Sequence, residues 1–104
     1  MSEIWKEIEN EKGYYVSDQG NVKSENYRMK GKEHLMKPST NVRGLKVVNI
    51  RGRTYQIHRL VAEAFVPNPS ALTDVYHING DRTDNRADNL MWAYRNSNKK
   101  KQEE

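Results

Sequence analysis

The chain contains no cysteine and no long apolar run. Without cysteine, disulfide bonds and thiolate metal sites are excluded, so any metal ion would have to be held by oxygen or imidazole ligands. No apolar stretch approaches the roughly 18–20 residues that span a membrane. The opening residues, "MSEIWKEIEN", also lack the pattern of a signal peptide. These absences predict a soluble cytoplasmic protein that does not contact membranes.

Hydrophobic residues are scarce as well. They make up 35% of the 104 residues, and adding glycine leaves the fraction below the roughly 45–50% of ordinary globular domains. The core is therefore expected to be thin. This length favours one domain, or two small subdomains that share a core. We expect a β-rich module over residues 1–56 and a second module over residues 57–104, joined in a single compact unit.

Positive charge is concentrated in the middle of the chain. Residues 23–59 carry ten basic and two acidic side chains, whereas residues 1–22 and 60–104 have net charges of −3 and −1. A basic segment between acidic ends favours contact with a polyanion such as nucleic acid. The alternative is an ordinary solvated face rich in lysine. The candidate DNA-binding residues are Arg43, Lys46, Arg51, Arg53 and Arg59.

Alternating apolar and polar residues predict strands in the first half. A hairpin is expected at "YYVSDQGNV", where Gly20 can adopt positive φ in the turn. Residues 23–41 are polar and predict a long loop or a ragged edge strand, with Leu35 and Met36 turned inward. The clearest sheet signal is "GLKVVNIRGRTYQIH", two β-rich runs joined by a tight turn. One face of such a sheet can cover the core while the other faces DNA.

The apolar period changes at residue 57. The apolar residues of "IHRLVAEAF" are spaced as one face of a helix, which is expected to end at Pro67. His58 lies at the rim of this apolar stripe. A histidine at such a position is usually structural, and a direct catalytic role is the alternative.

The last third predicts a strand, a polar loop, a second strand and a helix. We expect the strands over residues 74–78 and 89–94, and a helix that contains Asn96 and Asn98. The resulting fold class is α+β, in which a small N-terminal antiparallel sheet packs on the helix and a ββα unit follows. The expected core members of this part are Phe65, Ile78, Leu90 and Trp92.

Three side chains of this ββα unit can meet in one cleft, namely those of His77, Asn89 and Asn98. A neutral histidine can take a proton from water at physiological pH, because its ordinary pKa is about 6.5. An amide oxygen can bind a hard divalent cation, which stabilises a departing alkoxide. These parts suit phosphodiester hydrolysis. The alternative is a set of turns capped by Asn and Asp side chains.

The stretch "YHINGDRTDNRADNLMW" resembles the motif of the HNH homing endonucleases, which reads roughly "NHIDGNKTNNRxENLEW". The stretch "IHRLVAEAFVPNP" resembles the segment that precedes this motif in many phage and intron-encoded members. The start, "EIWKEIENEKGYYVSDQGNVKS", is similar to the NUMOD4-like N-terminal module of the same enzymes. The similarity runs from Glu3 to about Asn98, with the three motifs in the family order.

The resemblance implies a divalent-metal-dependent endonuclease or nickase acting on double-stranded DNA, encoded by a phage or prophage in a bacterial host. It implies one Mg²⁺ or Mn²⁺ per active site. His77 would be the general base, Asn89 would hold and orient it, and Asn98 would be a metal ligand. Many members continue into a helix-turn-helix region. Since this chain ends at Glu104, we expect DNA binding to depend mainly on phosphate contacts and to be sensitive to salt. The protein is expected to be a monomer.

Tyr76 departs from the family pattern, because it occupies the position of the second metal ligand. A phenol with a pKa near 10 is a poor Mg²⁺ ligand at pH 7 compared with a carboxylate. Three interpretations stay open. Substrate phosphate and water could replace the missing ligand, the protein could bind DNA without cutting it, or Asp74 or Asp81 could substitute. A small interaction domain with an incidental basic face is the remaining alternative.

Overall fold

The computed structural model describes residues 3–27 and 32–94. Within these ranges the chain forms three antiparallel sheets around one α-helix. None of the helices in these ranges is long and apolar enough to cross a membrane. The architecture confirms the α+β class predicted from the sequence.

The first sheet has four strands in the order β1-β2-β3-β4. Their bounds are Trp5–Glu7, Tyr14–Ser17, Val22–Tyr27 and Lys32–Leu35. The predicted hairpin is confirmed as β2 and β3, whose cross-strand partners Val16 and Val22 are both buried. Its turn contains Gly20 at φ +91°. The hydroxyl of Ser17 caps this turn by accepting the backbone N–H groups of Gln19 and Asn21.

The second sheet has three strands in the order β5-β6-β7, with bounds Ser39–Thr40, Lys46–Ile50 and Arg53–Gln56. Arg51 and Gly52 form the tight turn, both at positive φ, as a two-residue type I′ hairpin requires. For residues 23–41 the predicted long loop is wrong in part and the alternative of a ragged edge strand is closer, since this segment contributes most of β3 and the edge strands β4 and β5, with an irregular register between β3 and β4.

Leu35 and Met36 were both expected to turn inward, and only Met36 does. Met36 packs against the core, whereas Leu35 is 63% exposed. Leu35 pairs with Lys23 as the last residue of β4, and the Met36 N–H donates to the carbonyl of Val22. Neighbouring residues on extended backbone point to opposite faces, so one of the two had to face solvent.

The helix α1, Ile57–Phe65, packs against strands of all three sheets. Leu60 and Val61 are buried in the shared core with residues of every sheet. His58, expected at the rim of the apolar stripe, is more buried than a rim position suggests, since its exposed fraction is only 6%. The helical wheel gives position on the helix alone, whereas the third sheet covers this side of α1.

The third sheet is a hairpin of β8, Asp74–His77, and β9, Leu90–Ala93. Val75 pairs with Trp92 and His77 with Leu90, on the face toward α1. A polar loop and a 3-10 turn, Ala87–Asn89, join the strands. Burial of Leu90 confirms one core prediction, and partly buried Phe65 and Trp92 pack against the core.

Ile78 was also predicted in the core, and this is wrong, since it is 60% exposed. It follows the last residue of β8 and continues the alternation that places Tyr76 on the outer face. The predicted final helix with Asn96 and Asn98 lies outside the described residues.

Candidate active site

His77 ends β8 with its ring on the α1 side of the hairpin. The ring is half-buried and lies against that of His58, with centroids 4.9 Å apart and planes inclined by 41°. One edge of His77 is held by Asn85, whose amide Oδ1 lies 2.7 Å from Nε2. Asn85 is itself buried, with 6% of its surface exposed.

This hydrogen bond selects a tautomer of the His77 ring. An amide oxygen only accepts hydrogen bonds, so Nε2 must carry the hydrogen. In the neutral ring the other nitrogen, Nδ1, then keeps its lone pair and can accept a proton from water. The contact with Asn85 thereby leaves His77 in the form that general-base chemistry needs.

The ring of His58 places no positive charge beside His77 at neutral pH. Burial, with smaller contributions from the nearby His77 and Arg59, lowers the pKa of His58 to about 4. The Nδ1 atom of His58 is buried and has no hydrogen-bond partner among the described residues. His58 therefore packs as a neutral ring.

Asn89 acts on the loop between β8 and β9. Its Oδ1 accepts the N–H of Asn79 at 3.1 Å, and its Nδ2 donates to Asn79 Oδ1 at 3.0 Å and to the carbonyl of Asp84 at 2.8 Å. Its own carbonyl accepts the N–H of Ile78, directly after His77. Among the described residues Asn89 thus reaches the histidine through the backbone, and its orienting role stays a prediction.

The carboxylates of the loop are bound within the loop. Asp81 Oδ1 accepts both the N–H and the hydroxyl of Thr83, which lowers the pKa of Asp81. Asp84 accepts two hydrogen bonds from Arg86 and one from Asn79, and its pKa falls to about 2, mainly because of Arg86. These contacts fold the loop back so that Asn85 returns to His77.

The described residues do not by themselves fit a divalent-metal site. Within residues 3–27 and 32–94, no three His, Cys, Asp or Glu side chains cluster as metal ligands. Tyr76 pairs with Met91 on the hairpin face opposite His77. Asp74 starts β8, three residues before His77, and Asp81 is committed to Thr83. The predicted ligand Asn98 lies outside the described residues.

Four of the five candidate DNA-binding residues make side-chain contacts within the protein, and Arg53 does so at Tyr55. Arg51 donates to Glu11 Oε1 at 2.9 Å and to the carbonyl of Lys12. Arg59 donates to the carbonyl of Thr73, and Lys46 to the hydroxyl of Thr40. The DNA contacts predicted for these four residues remain predictions.

Arg43 and Arg53 are exposed, and Arg43 lies next to the active-site loop. The guanidinium of Arg82, in that loop, donates to the backbone carbonyl of Arg43. Arg82 was not among the residues predicted from the sequence to bind DNA, although a basic residue within the motif could have indicated it. The exposed residue Arg43 and the exposed guanidinium of Arg82 thus lie together at the loop that carries Asn85.

The fold and this site agree with the comparisons with known proteins. Residues 55–100 match the family model described as HNH endonuclease, and residues 3–51 match the NUMOD4 motif. The chain belongs to the HNH endonuclease family, as the resemblance predicted.

Individual relatives come from viruses. The chain is 43% identical over 107 residues to the uncharacterized HNH endonuclease L247 of Acanthamoeba polyphaga mimivirus, covering 93% of this chain and 25% of that protein. It is 33% identical over 90 residues to the DNA endonuclease I-HmuI of Bacillus phage SP01, covering 86% and 51%. The chain thus spans between a quarter and about half of the length of these relatives.

A solved structure extends the comparison to the fold. The structure described as DNA binding and cleavage by the HNH homing endonuclease I-HmuI matches with a TM-score of 0.73 and 31% sequence identity. The match covers 91% of this chain and 55% of that one.

Proposed function

We propose that the chain is the catalytic part of a DNA endonuclease or nickase in which His77 is the general base. The observation that carries this proposal is the hydrogen bond from Nε2 of His77 to Asn85, which leaves Nδ1 able to accept a proton. Family membership and the similarity to I-HmuI support DNA as the substrate.

In the proposed reaction, Nδ1 of His77 takes a proton from a water molecule whose oxygen attacks the phosphorus of a DNA phosphodiester. The opposite phosphorus–oxygen bond breaks, and the leaving alkoxide takes a proton from solvent. Neutral His58 adds no charge that would oppose the imidazolium formed on His77. Asn85 and the loop closed by Asn89 hold the base in position.

Metal dependence is carried over from the family, whose members generally use a divalent cation. We propose one Mg²⁺ or Mn²⁺ per site, which when bound would stabilise the developing charge on the phosphate. Asn98 is the ligand expected from the motif. Tyr76 offers no suitable second ligand, so water and substrate phosphate would complete the coordination.

The proposed DNA surface includes Arg43, Arg53 and Arg82, whose exposed guanidinium groups suit phosphate oxygens. Arg82 and the Arg43 backbone join this surface to the active-site loop. The monomeric state and the cytoplasmic location stay predictions.

The test is nicking of supercoiled plasmid with Mg²⁺ or Mn²⁺. We expect His77→Ala to abolish nicking while DNA binding persists. The matched control is His34→Ala, which removes an exposed histidine of β4. Equal nicking by His77→Ala and the wild type would show that His77 is not the base.

Tyr76 favours a second candidate, a protein of this family that binds DNA without cutting it. In that case the wild type binds plasmid without nicking it, and Tyr76→Asp confers nicking if position 76 belongs to the metal site, where it would supply a carboxylate. Tyr76→Phe is the control, since it keeps the ring and supplies no ligand. If Tyr76→Asp changes neither metal binding nor cleavage, the assignment of position 76 to the metal site is wrong.

A further inference from the structure

The hydrogen bond to Asn85 is the one that the His77 ring makes among the described residues. His58 contacts the face of the ring, and an aromatic contact alone does not distinguish Nδ1 from Nε2. The choice of tautomer therefore depends on Asn85. This residue lies eight positions along the chain from His77, so the loop fold must place it accurately.

The segment that carries Asn85 is backed by the N-terminal sheet. The β2–β3 turn runs from Ser17 to Asn21 and lies against residues 85–87. The N–H of Ala87 donates to the carbonyl of Asp18 at 2.8 Å. A Cβ atom built on Gly20 would lie 3.1 Å from both Cβ and the carbonyl oxygen of Asn85, closer than ordinary van der Waals contact.

The β2–β3 turn is itself firmly held. Ser17 is fully buried and donates its hydroxyl to Glu3 at 2.7 Å. Glu3 also accepts a hydrogen bond from the side chain of Asn21, at the other end of the turn. The N–H and the carboxylate of Asp18 are hydrogen-bonded to the backbone of Ile4. The turn thus forms a rigid support on which the active-site loop rests.

We infer that Asn85 is a positioning residue for His77, and that the β2–β3 turn seats Asn85 through the close approach at Gly20. The N-terminal module, which matches the NUMOD4 motif, thereby completes the scaffold of the HNH site. The functional part of this inference rests on the proposed role of His77 as general base. The positioning itself can be measured without any cleavage.

Two glycines of the N-terminal module offer a matched pair of variants. Gly20 and Gly13 have φ values of +91° and +88°, so alanine meets the same backbone strain at both positions. At Gly20 the added methyl group meets the Asn85 backbone, whereas nothing lies within 4 Å at Gly13. A difference between Gly20→Ala and Gly13→Ala therefore reports the contact with Asn85 and not the strain.

The deciding measurement is ¹⁵N NMR of the His77 ring at a pH where it is neutral, on the full chain. We expect the tautomer with hydrogen on Nε2 in the wild type and in Gly13→Ala. Asn85→Ala and Gly20→Ala should give a mixture of tautomers, and Asn85→Asp, which keeps an acceptor oxygen, should restore the single form. A wild-type tautomer in both Asn85→Ala and Gly20→Ala would overturn the inference.

The second measurement is plasmid nicking, with kcat separated from the Kd for DNA. Asn85→Ala and Gly20→Ala should lower kcat by about tenfold or more, since small misplacements of catalytic groups cost up to ~10²-fold. The Kd and the folded fraction should match those of Gly13→Ala. If His77→Ala nicks normally while the His77 tautomer shifts in Asn85→Ala and Gly20→Ala, the proposed function fails and the positioning stands. If His77→Ala is inactive while tautomer and kcat are unchanged in both variants, the positioning is wrong.

Discussion

Among the buried polar clusters in the described part of the chain, two differ clearly in charge. In the first, Glu11 accepts hydrogen bonds from Tyr55 and Arg51, which joins the β1–β2 connection to the β6–β7 hairpin. In the second, Asn85 and Asn89 hold His77 and its loop through neutral amides. The ionic cluster holds two sheets together. The neutral one holds the imidazole of His77 through an amide hydrogen bond that leaves Nδ1 able to accept a proton.

The largest effect is expected from breaking the neutral cluster. Asn89→Ala removes the three hydrogen bonds by which a buried amide holds an otherwise exposed loop, so the end of β8 loosens and His77 shifts. We expect nicking to fall by about 10²-fold and the free energy of unfolding by about 2 kcal/mol. Plasmid assays at 25 °C and thermal melts measure the two quantities.

Asn68→Ala is the matched control for Asn89→Ala. Asn68 also closes a loop, through two hydrogen bonds to the backbone of Leu72 between α1 and β8. It should lower stability while nicking by the folded protein is retained. Equal losses of activity in the two variants would mean that Asn89 acts through stability alone.

Breaking the ionic cluster should lower stability without affecting catalysis. Glu11→Gln removes the negative charge that Tyr55 and Arg51 contact. We expect the Tm to fall by roughly 5 °C, with nicking per folded molecule unchanged below the transition. Glu9→Gln, at an exposed position nearby, should leave the Tm unchanged. A large loss of kcat in Glu11→Gln would contradict the separation of the two clusters.

His58, whose ring packs against His77, and Glu11 of the ionic cluster should respond differently to acid. The pKa of His58 is lowered to about 4 in the folded protein, against about 6.5 when unfolded. Between these values the unfolded state binds a proton that the folded state does not, so stability is full above pH 6.5 and declines toward pH 4. We expect a fall in Tm of several degrees over this range.

His58→Phe should remove this part of the pH dependence. For Glu11 the pKa is lowered mainly by the hydrogen bond from Tyr55, so its contribution is present above pH 4.5 and disappears only at lower pH. Melting curves of His58→Phe and Glu11→Gln between pH 3 and 7 therefore separate the contributions of His58 and Glu11 to the pH dependence. A wild-type slope between pH 6.5 and 4 in His58→Phe would assign the effect to another group.

The smallest effect concerns the two kinds of arginine. Arg43 is exposed beside the active-site loop, whereas Arg51 belongs to the ionic cluster. Arg43→Gln should weaken DNA binding and reduce the slope of log K against log salt concentration by about 1, as loss of one phosphate contact does. Arg51→Gln should lower the Tm and leave that slope unchanged. A reduced salt slope in Arg51→Gln together with a lowered Tm in Arg43→Gln would instead assign DNA binding to Arg51 and the structural role to Arg43.

Much of the fold could be predicted because its main elements bury one regular face. Period-two patterns predicted β2, β6 and β7, and a helical stripe predicted α1. The strands β4 and β5 were harder to predict, because the described side chains of their residues are all exposed and give no apolar alternation. The burial of His58 could not be read from the helix alone, since it depends on the third sheet.

The candidate site was predictable only in part, because several of its contacts depend on how the loop between β8 and β9 folds. The motif indicated His77 and Asn89 by their positions. It did not indicate that Asn89 contacts Asn79 and Asp84, or that the residue hydrogen-bonded to His77 is Asn85. Those contacts result from a loop folded by Asp81 and Asp84, which periodicity does not describe. The support from Gly20 joins positions 65 residues apart, beyond the reach of any local pattern.

The near contact between Gly20 and Asn85 also limits how the chain can be divided. A minimal nuclease excised at the junction of the two family matches would keep His77 and lose the surface on which its partner rests. Chimaeras that exchange N-terminal modules between relatives would need to preserve this interlocking of backbone shapes, even where both parts bind DNA well.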